Sequence, residues 1–130
     1  MKKIVLIVND ESAPRFALRD AFALRGYRVT EAADGAECLL AAARHRPDLI
    51  VLDVVMPGLD GLTVLVRLKD SPRTAAVPVV MVEGQSGSLH REMARELGAA
   101  EVFAADDSPE EVAAVGDNLV SSGKGGEGAP

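Results

Sequence analysis

The fold of this chain is set by the run Leu49-Ile50-Val51-Leu52-Asp53 and by the residues that follow it, Val54-Val55-Met56-Pro57-Gly58. Four consecutive apolar residues predict a short strand that is buried on both faces. Pro57 and Gly58 prevent the strand from continuing, so the carboxylate of Asp53 stands at its carboxyl end. A charge at that place costs solvation free energy, which indicates that the protein uses it.

A second acidic group follows another apolar run near the start of the chain. Ile4-Val5-Leu6-Ile7-Val8 predicts a buried strand, and Asn9-Asp10-Glu11 ends it. In open parallel sheets, ligands bind at the carboxyl ends of the strands. If these two strands are neighbours, Asp10 and Asp53 meet in one pocket.

Strand-like and helix-like segments alternate along the chain. The predicted strands are Lys3–Val8, Tyr27–Ala32, Leu49–Leu52, Pro78–Val82 and Glu101–Ala104. The first predicted helix covers Pro14–Arg25, and the second starts from Asp34 and has Leu39, Leu40 and Ala43 on one side. The third runs from Gly61 to about Lys69, and the fourth has Leu89, Met93 and Leu97 in the core. The fifth starts at Ser108. Right-handed connections between five such pairs predict an α/β fold, with a five-stranded parallel sheet and helices on both faces.

Composition limits the classes of function. The chain has 130 residues and a formal net charge of −6, which suits one domain and argues against direct binding of nucleic acid or of anionic membranes. Cys38 lies in an apolar helical pattern, which predicts a small, buried, apolar side chain. Because it is the single cysteine, we expect a reducing, cytoplasmic setting. We expect residues 1–120 to form the domain and 121–130, rich in Gly and Ser, to be a flexible tail or linker.

Several motifs occur in register along the chain: Val8-Asn9-Asp10-Glu11, Asp34-Gly35-Ala36-Glu37, Arg46-Pro47-Asp48-Leu49, Leu52-Asp53 with Met56-Pro57-Gly58-Leu59-Asp60-Gly61, Pro78-Val79-Val80-Met81, and Gly98-Ala99-Ala100. Together they resemble the motifs of one family, the receiver domain of bacterial two-component response regulators. The resemblance covers about residues 3–120 and implies a flavodoxin-like, doubly wound (βα)5 fold.

The resemblance also implies a site. Asp53 matches the aspartate that accepts a phosphoryl group from a histidine kinase, and Asp10 matches the acid that holds Mg²⁺. The backbone carbonyl of Val55 matches a third metal ligand, and Asn9 stands where a further acid reaches the metal through water. This chemistry is consistent physically, because a carboxylate attacks an anionic phosphoryl group poorly unless a metal screens both groups.

Besides Asn9, four residues depart from the family pattern. Glu83 stands in place of the Ser or Thr whose hydroxyl binds the phosphoryl group, and Ala105 stands in place of a lysine. Val102 replaces the aromatic residue that moves on phosphorylation, and Asp106 replaces a proline, which argues against a cis peptide there. The expected pocket is therefore one unit more negative than usual, with no cationic partner. Glu83 pointing to solvent, and Asn9 capping the first helix, are the alternatives.

We therefore predict a degenerate receiver domain in phosphorelay signalling, in which phosphorylation of Asp53 is weak or dispensable. The protein is expected not to be an enzyme beyond self-phosphorylation. The expected partners are a histidine kinase or phosphotransfer protein and an effector domain or downstream protein, with the chain a monomer or weak dimer. The alternative is a pseudo-receiver that acts only through protein contacts.

Two other classes are less well supported. An aspartate-nucleophile phosphatase needs an acid two residues after the nucleophile, where this chain has Val55. A flavin- or nucleotide-binding domain of this topology needs a phosphate-binding loop after the first strand, and Glu11-Ser12-Ala13-Pro14 does not provide one.

Overall fold

The computed structural model describes residues 2–83 and 88–123, without the side chains of 88–90, and shows five strands and five helices in alternation. The strands are β1 (Ile4–Val8), β2 (Arg28–Ala32), β3 (Leu49–Asp53), β4 (Val79–Val82) and β5 (Glu101–Phe103). The helices are α1 (Ser12–Leu24), α2 (Gly35–His45), α3 (Gly61–Asp70), α4 (Ser88–Glu96) and α5 (Pro109–Ser122). The predicted elements are confirmed, with ends that shift by one or two residues.

The strands form one parallel sheet in the order β2-β1-β3-β4-β5. β1 and β3 are direct neighbours, with Val8 beside Leu52 in the register. The residues that follow these two strands therefore emerge at the same edge of the sheet. The doubly wound α/β architecture is confirmed.

Alternate strand residues enter two cores, one on each face of the sheet. Leu6 and Leu52 belong to the core that also contains residues of α2, α3 and α4. Val5 and Val51 belong to the core that contains residues of α1 and α5. This alternation follows from the two-residue period of a strand, and strands covered on both faces need apolar residues at every position.

Gly116 explains how α5 packs so closely against the sheet. A Cβ atom at this position would lie 2.7 Å from Cδ2 of Leu49 and 3.3 Å from Cζ of Phe22. The next residue, Asp117, accepts hydrogen bonds from the Tyr27 hydroxyl at 2.9 Å and from Arg25 at 3.1 Å. These two residues are poor helix formers, but here they serve packing and hydrogen bonding.

Predictions about inward-facing helix residues are wrong in two places. On α2, Leu40 is 66% exposed, because the buried stripe runs through Gly35, Cys38 and Ala42 instead. The burial of Cys38 itself is confirmed, and it raises the pKa of this thiol to about 12.

The predicted core residues Met93, on α4, and Leu97, directly after it, are 44% and 36% exposed. Among residues 91–96 of this helix, Ala94 is the one that is fully buried, and its small side chain lets α4 approach the sheet. Leu89, the third predicted core residue, lies outside the described residues.

The predicted tail begins too early. Ser121 and Ser122 belong to α5, and Gly123 ends this helix with a φ of 71°. Residues 124–130 lie outside the described part of the chain, and the division into a domain and a tail stays a prediction. No helix among the described residues has the length and apolar character needed to cross a membrane.

Candidate functional site

An open cleft of about 600 Å³ lies at the carboxyl edge of the sheet. It is lined by the ends of β3 and β4 and by the loops that follow β1, β3 and β5. Its lining residues are Asn9, Asp10, Glu11, Pro14, Asp53, Val55, Met56, Pro57, Val82, Glu83 and Ala105. Six residues were assigned above to the phosphoryl or metal site, and all six line this cleft: Asn9, Asp10, Asp53, Val55, Glu83 and Ala105. Their roles stay predictions.

Asp53 is the half-buried last residue of β3, and the following loop is held tightly against it. The N–H of Val55 donates to Oδ1 of Asp53 at 3.3 Å, and the N–H of Gly61 donates to the carbonyl of Val54 at 2.8 Å. A Cβ atom on Gly61 would lie 2.2 Å from the carbonyl oxygen of Asp53. Only glycine therefore permits α3 to begin directly behind the end of β3.

The pKa of Asp53 is raised to about 6, and the first cause is burial, which penalises the charged form. The neighbouring carboxylates of Asp10 and Glu11 raise this pKa further, while the hydrogen bond from Val55 lowers it. A raised pKa between like charges marks a place where negative charge is concentrated. Such a place favours binding of a cation.

Asn9 does not cap the first helix. Its side-chain oxygen accepts a hydrogen bond from the N–H of Glu11 at 2.9 Å, which forms a local turn before α1 begins at Ser12. The carbonyl of Asn9 accepts from Arg15 at 2.7 Å, and Arg15 also binds Glu31. The turn directs Asp10 and Glu11 toward the cleft edge, where both are exposed.

Glu83 follows β4 directly and is only 6% exposed, so the alternative in which it points to solvent is wrong. Its N–H donates to the carbonyl of Phe103 on β5 at 2.8 Å. Its Oε2 accepts from Nη2 of Arg91 on α4 at 2.6 Å. Its Oε1 is buried and has no hydrogen-bond partner among the described residues.

Arg91 gives Glu83 a cationic partner that was not expected from the sequence, although Arg91 itself is not among the residues that line the cleft. Its guanidinium neutralises Glu83, and its Nη1 lies 3.5 Å from the carbonyl of Val102. Arg91 thus connects the end of β4, α4 and β5. The sequence does not indicate this pair, because a residue eight positions after Glu83, on another element, carries no spacing signal. A buried glutamate by itself does indicate that a cation is near.

Ala105 and Val102 lie in different places, one on the cleft wall and one in the core. Ala105 is an exposed residue of the cleft wall and offers no polar side-chain atom. Val102 is 4% exposed and belongs to the same core as Ala94. No cis peptide bond occurs in the described residues, which include Asp106.

The donor atoms around the cleft are oxygens, which are the ligands that Mg²⁺ prefers. No cluster of three or more His, Cys, Asp or Glu side chains placed to hold a metal occurs in residues 2–83 and 91–123. The candidate set instead has two carboxylates, Asp10 and Asp53, with the backbone carbonyl of Val55. This set fits a hydrated Mg²⁺, because that ion keeps several of its waters in proteins.

A five-stranded parallel sheet with an acidic cleft at its carboxyl edge is typical of one class of signalling domain. Comparison with known proteins identifies that class. The family model of the response regulator receiver domain matches residues 5–115. The chain therefore belongs to the response regulator receiver domain family.

Individual relatives agree with this assignment. The chain is 41% identical over 101 residues to "Response regulator PleD" of Caulobacter vibrioides, covering 78% of this chain but 22% of that protein. It is 34% identical to "Sporulation initiation phosphotransferase F" of Bacillus subtilis, covering 80% of this chain and 82% of that protein. A putative response regulator of known structure from Chloroflexus aurantiacus superposes with a TM-score of 0.87 at 29% identity, over 93% of this chain and 99% of that one.

The relatives differ greatly in length. The chain spans 22% of PleD and 46% of "Probable transcriptional regulator ycf27" of Porphyridium aerugineum, to which it is 36% identical over 113 residues. The similarity thus concerns one domain of these longer proteins.

Proposed function

We propose that this receiver domain transmits its signal mainly through protein contacts, and that phosphorylation of Asp53 is weak or dispensable. The single observation that carries this proposal is the buried Glu83, paired with Arg91, on the wall of the cleft that contains Asp53. The proposal concerns this domain in two-component signalling.

A phosphoryl group on Asp53 needs hydrogen-bond donors and positive charge around its oxygens. An ionised carboxylate at position 83 cannot donate, and two anions in contact repel by roughly 4 kcal/mol at an intermediate dielectric. Arg91 reduces this repulsion, but its Nη2 already donates to Oε2 of Glu83. Ala105 supplies neither a donor nor a charge.

Mg²⁺ is the metal that the oxygen donors would hold. Asp10, Asp53 and the carbonyl of Val55 are the proposed ligands, and Asn9 would bind through a water. Bound there, the ion would screen the carboxylates that raise the pKa of Asp53. The binding of a cation is thus compatible with a site that holds phosphate poorly.

A pure interaction module is the second candidate function. The Glu83–Arg91 pair favours it, because the pair connects β4, α4 and β5 without a phosphoryl group. Met93 on α4 and Leu97 directly after it are exposed, and so are Asp106, Glu110 and Glu111 in the segment after β5. An effector domain or downstream protein with basic and apolar groups would fit this surface, while a kinase or phosphotransfer protein would bind near α1.

Incubation with acetyl phosphate and Mg²⁺, followed by intact-mass spectrometry and size-exclusion chromatography, tests the proposal. We expect no stoichiometric phosphoryl adduct and no change of elution volume. The Asp53→Asn variant is the control for adducts at other residues. A stoichiometric adduct on Asp53 that also shifts the oligomeric state would contradict the proposed function.

A further inference from the structure

We infer that Glu83 is an additional cation-binding group of the cleft, which accepts a hydrogen bond from a water on a bound divalent cation while Arg91 holds it in position. This inference rests on the cation site of the proposed function. It assigns to Glu83 a role other than that of the Ser or Thr found in the family.

The first observation is the unequal environment of the two Glu83 oxygens. Oε2 is bound to Arg91 at 2.6 Å, whereas Oε1 is buried and has no partner within the described residues. A buried carboxylate oxygen without a donor is unfavourable, and native proteins rarely leave one unsatisfied. The arrangement thus calls for a donor beside Oε1.

The second observation is where Glu83 lies. It is part of the wall of the same cleft as Asp10 and Asp53. Since no three acidic side chains there are close enough to ligate one ion together, direct coordination by Glu83 is not the arrangement that fits. A water on the cation fits, because Mg²⁺ retains several waters, and these are strong hydrogen-bond donors.

Arg91 is the positioning residue in this arrangement. Its contact with the Val102 carbonyl fixes the guanidinium to β5, and its contact with Oε2 fixes one side of the carboxylate. Oε1 is then the oxygen of Glu83 that has no donor among the described residues. A cation in the cleft would therefore be connected through Glu83 and Arg91 to α4 and β5.

The Glu83→Gln variant tests this inference in the full chain, with Mn²⁺ as the probe and free Mn²⁺ measured by electron paramagnetic resonance. The amide has one acceptor oxygen, which Arg91 engages, so its NH2 group takes the place of Oε1 and offers no acceptor to the cation's waters. We expect Mn²⁺ binding to weaken about tenfold, as for loss of one charge-assisted hydrogen bond. Glu83→Thr is expected to show a similar loss, and circular dichroism verifies that both variants are folded.

Glu101→Gln is the matched control. Glu101 also pairs with an arginine of α4, Arg95 at 3.2 Å, but it lies at the other end of β5 and does not line the cleft. Its Mn²⁺ affinity should stay within about twofold of wild type, since only a distant, screened charge changes. The inference is overturned if wild type binds no Mn²⁺, if Glu83→Gln binds as wild type does, or if the control weakens binding equally.

Failure of the inference and failure of the proposed function give different results. The proposed function fails through a stoichiometric phosphoryl adduct on wild-type Asp53, which mass spectrometry detects. The inference fails through unchanged Mn²⁺ affinity in the Glu83 variants, which needs no phosphodonor.

Discussion

The double variant Glu83→Thr/Ala105→Lys is expected to accumulate a phosphoryl adduct on Asp53 from acetyl phosphate, at a rate at least about a hundredfold above that of wild type. The variant removes a carboxylate and supplies a hydroxyl donor and an ammonium group at the cleft wall. If each change is worth roughly 1.5 kcal/mol or more in the transition state, the two together give about this factor. Intact-mass spectrometry over a time course measures the rate.

A control with the same change of charge is available at the start of β5, where Ala100 precedes Glu101. Ala100→Lys/Glu101→Thr adds one lysine and removes one glutamate outside the cleft, at the opposite end of the strand. We expect this control to behave as wild type does. Addition of Asp53→Asn to the first pair should abolish the adduct. An unchanged rate in Glu83→Thr/Ala105→Lys would show that these two residues do not limit phosphorylation.

Asp53→Asn is expected to stabilise the metal-free protein by about 1–2 kcal/mol at pH 7.5, after allowance for solvent screening at a half-buried carboxylate. The pKa of Asp53 is about 6 in the folded state, above its ordinary value near 4. The folded state therefore binds the proton more tightly than the unfolded state. As the pH rises from about 4 through 6, this carboxyl group lowers the free energy of unfolding, and asparagine avoids that loss.

Urea unfolding in EDTA at several pH values measures this effect. The gain from Asp53→Asn should shrink as the pH falls toward 4, and Mg²⁺ should reduce it at pH 7.5 by stabilising the wild type. Asp70→Asn, at the exposed end of α3, is the control and should change stability by less than about 0.5 kcal/mol. A gain that does not depend on pH would contradict the role of burial and of the neighbouring acids.

The strands and the shared edge were accessible from the sequence because their signals are local. Apolar runs followed by Asn9-Asp10 and by Asp53 mark both the strands and their ends, and parallel connections place those ends together. The predicted helix starts at Asp34 and Ser108 also depend on local contacts, because the side chain of Asp34 accepts from the N–H of Glu37 and that of Ser108 accepts from the N–H of Glu111. The start of α2 and of α5 follows from these patterns.

The environment of Glu83 was not accessible in the same way. Its pairing with Arg91 depends on how α4 is rotated against β5, and the exposure of Met93 and Leu97 shows that the rotation differs from the predicted one. A short helix whose described part, residues 91–96, buries a single alanine leaves little periodic signal. Tertiary packing, not local sequence, places the guanidinium beside the carboxylate.

Titration of the wild-type chain with beryllofluoride and Mg²⁺, followed by ¹⁹F NMR, tests most directly whether this cleft can hold a phosphoryl-like group. We predict no resonance of bound beryllofluoride for wild type and clear bound resonances for Glu83→Thr/Ala105→Lys. A stoichiometric, slowly exchanging bound species on wild type would contradict the account.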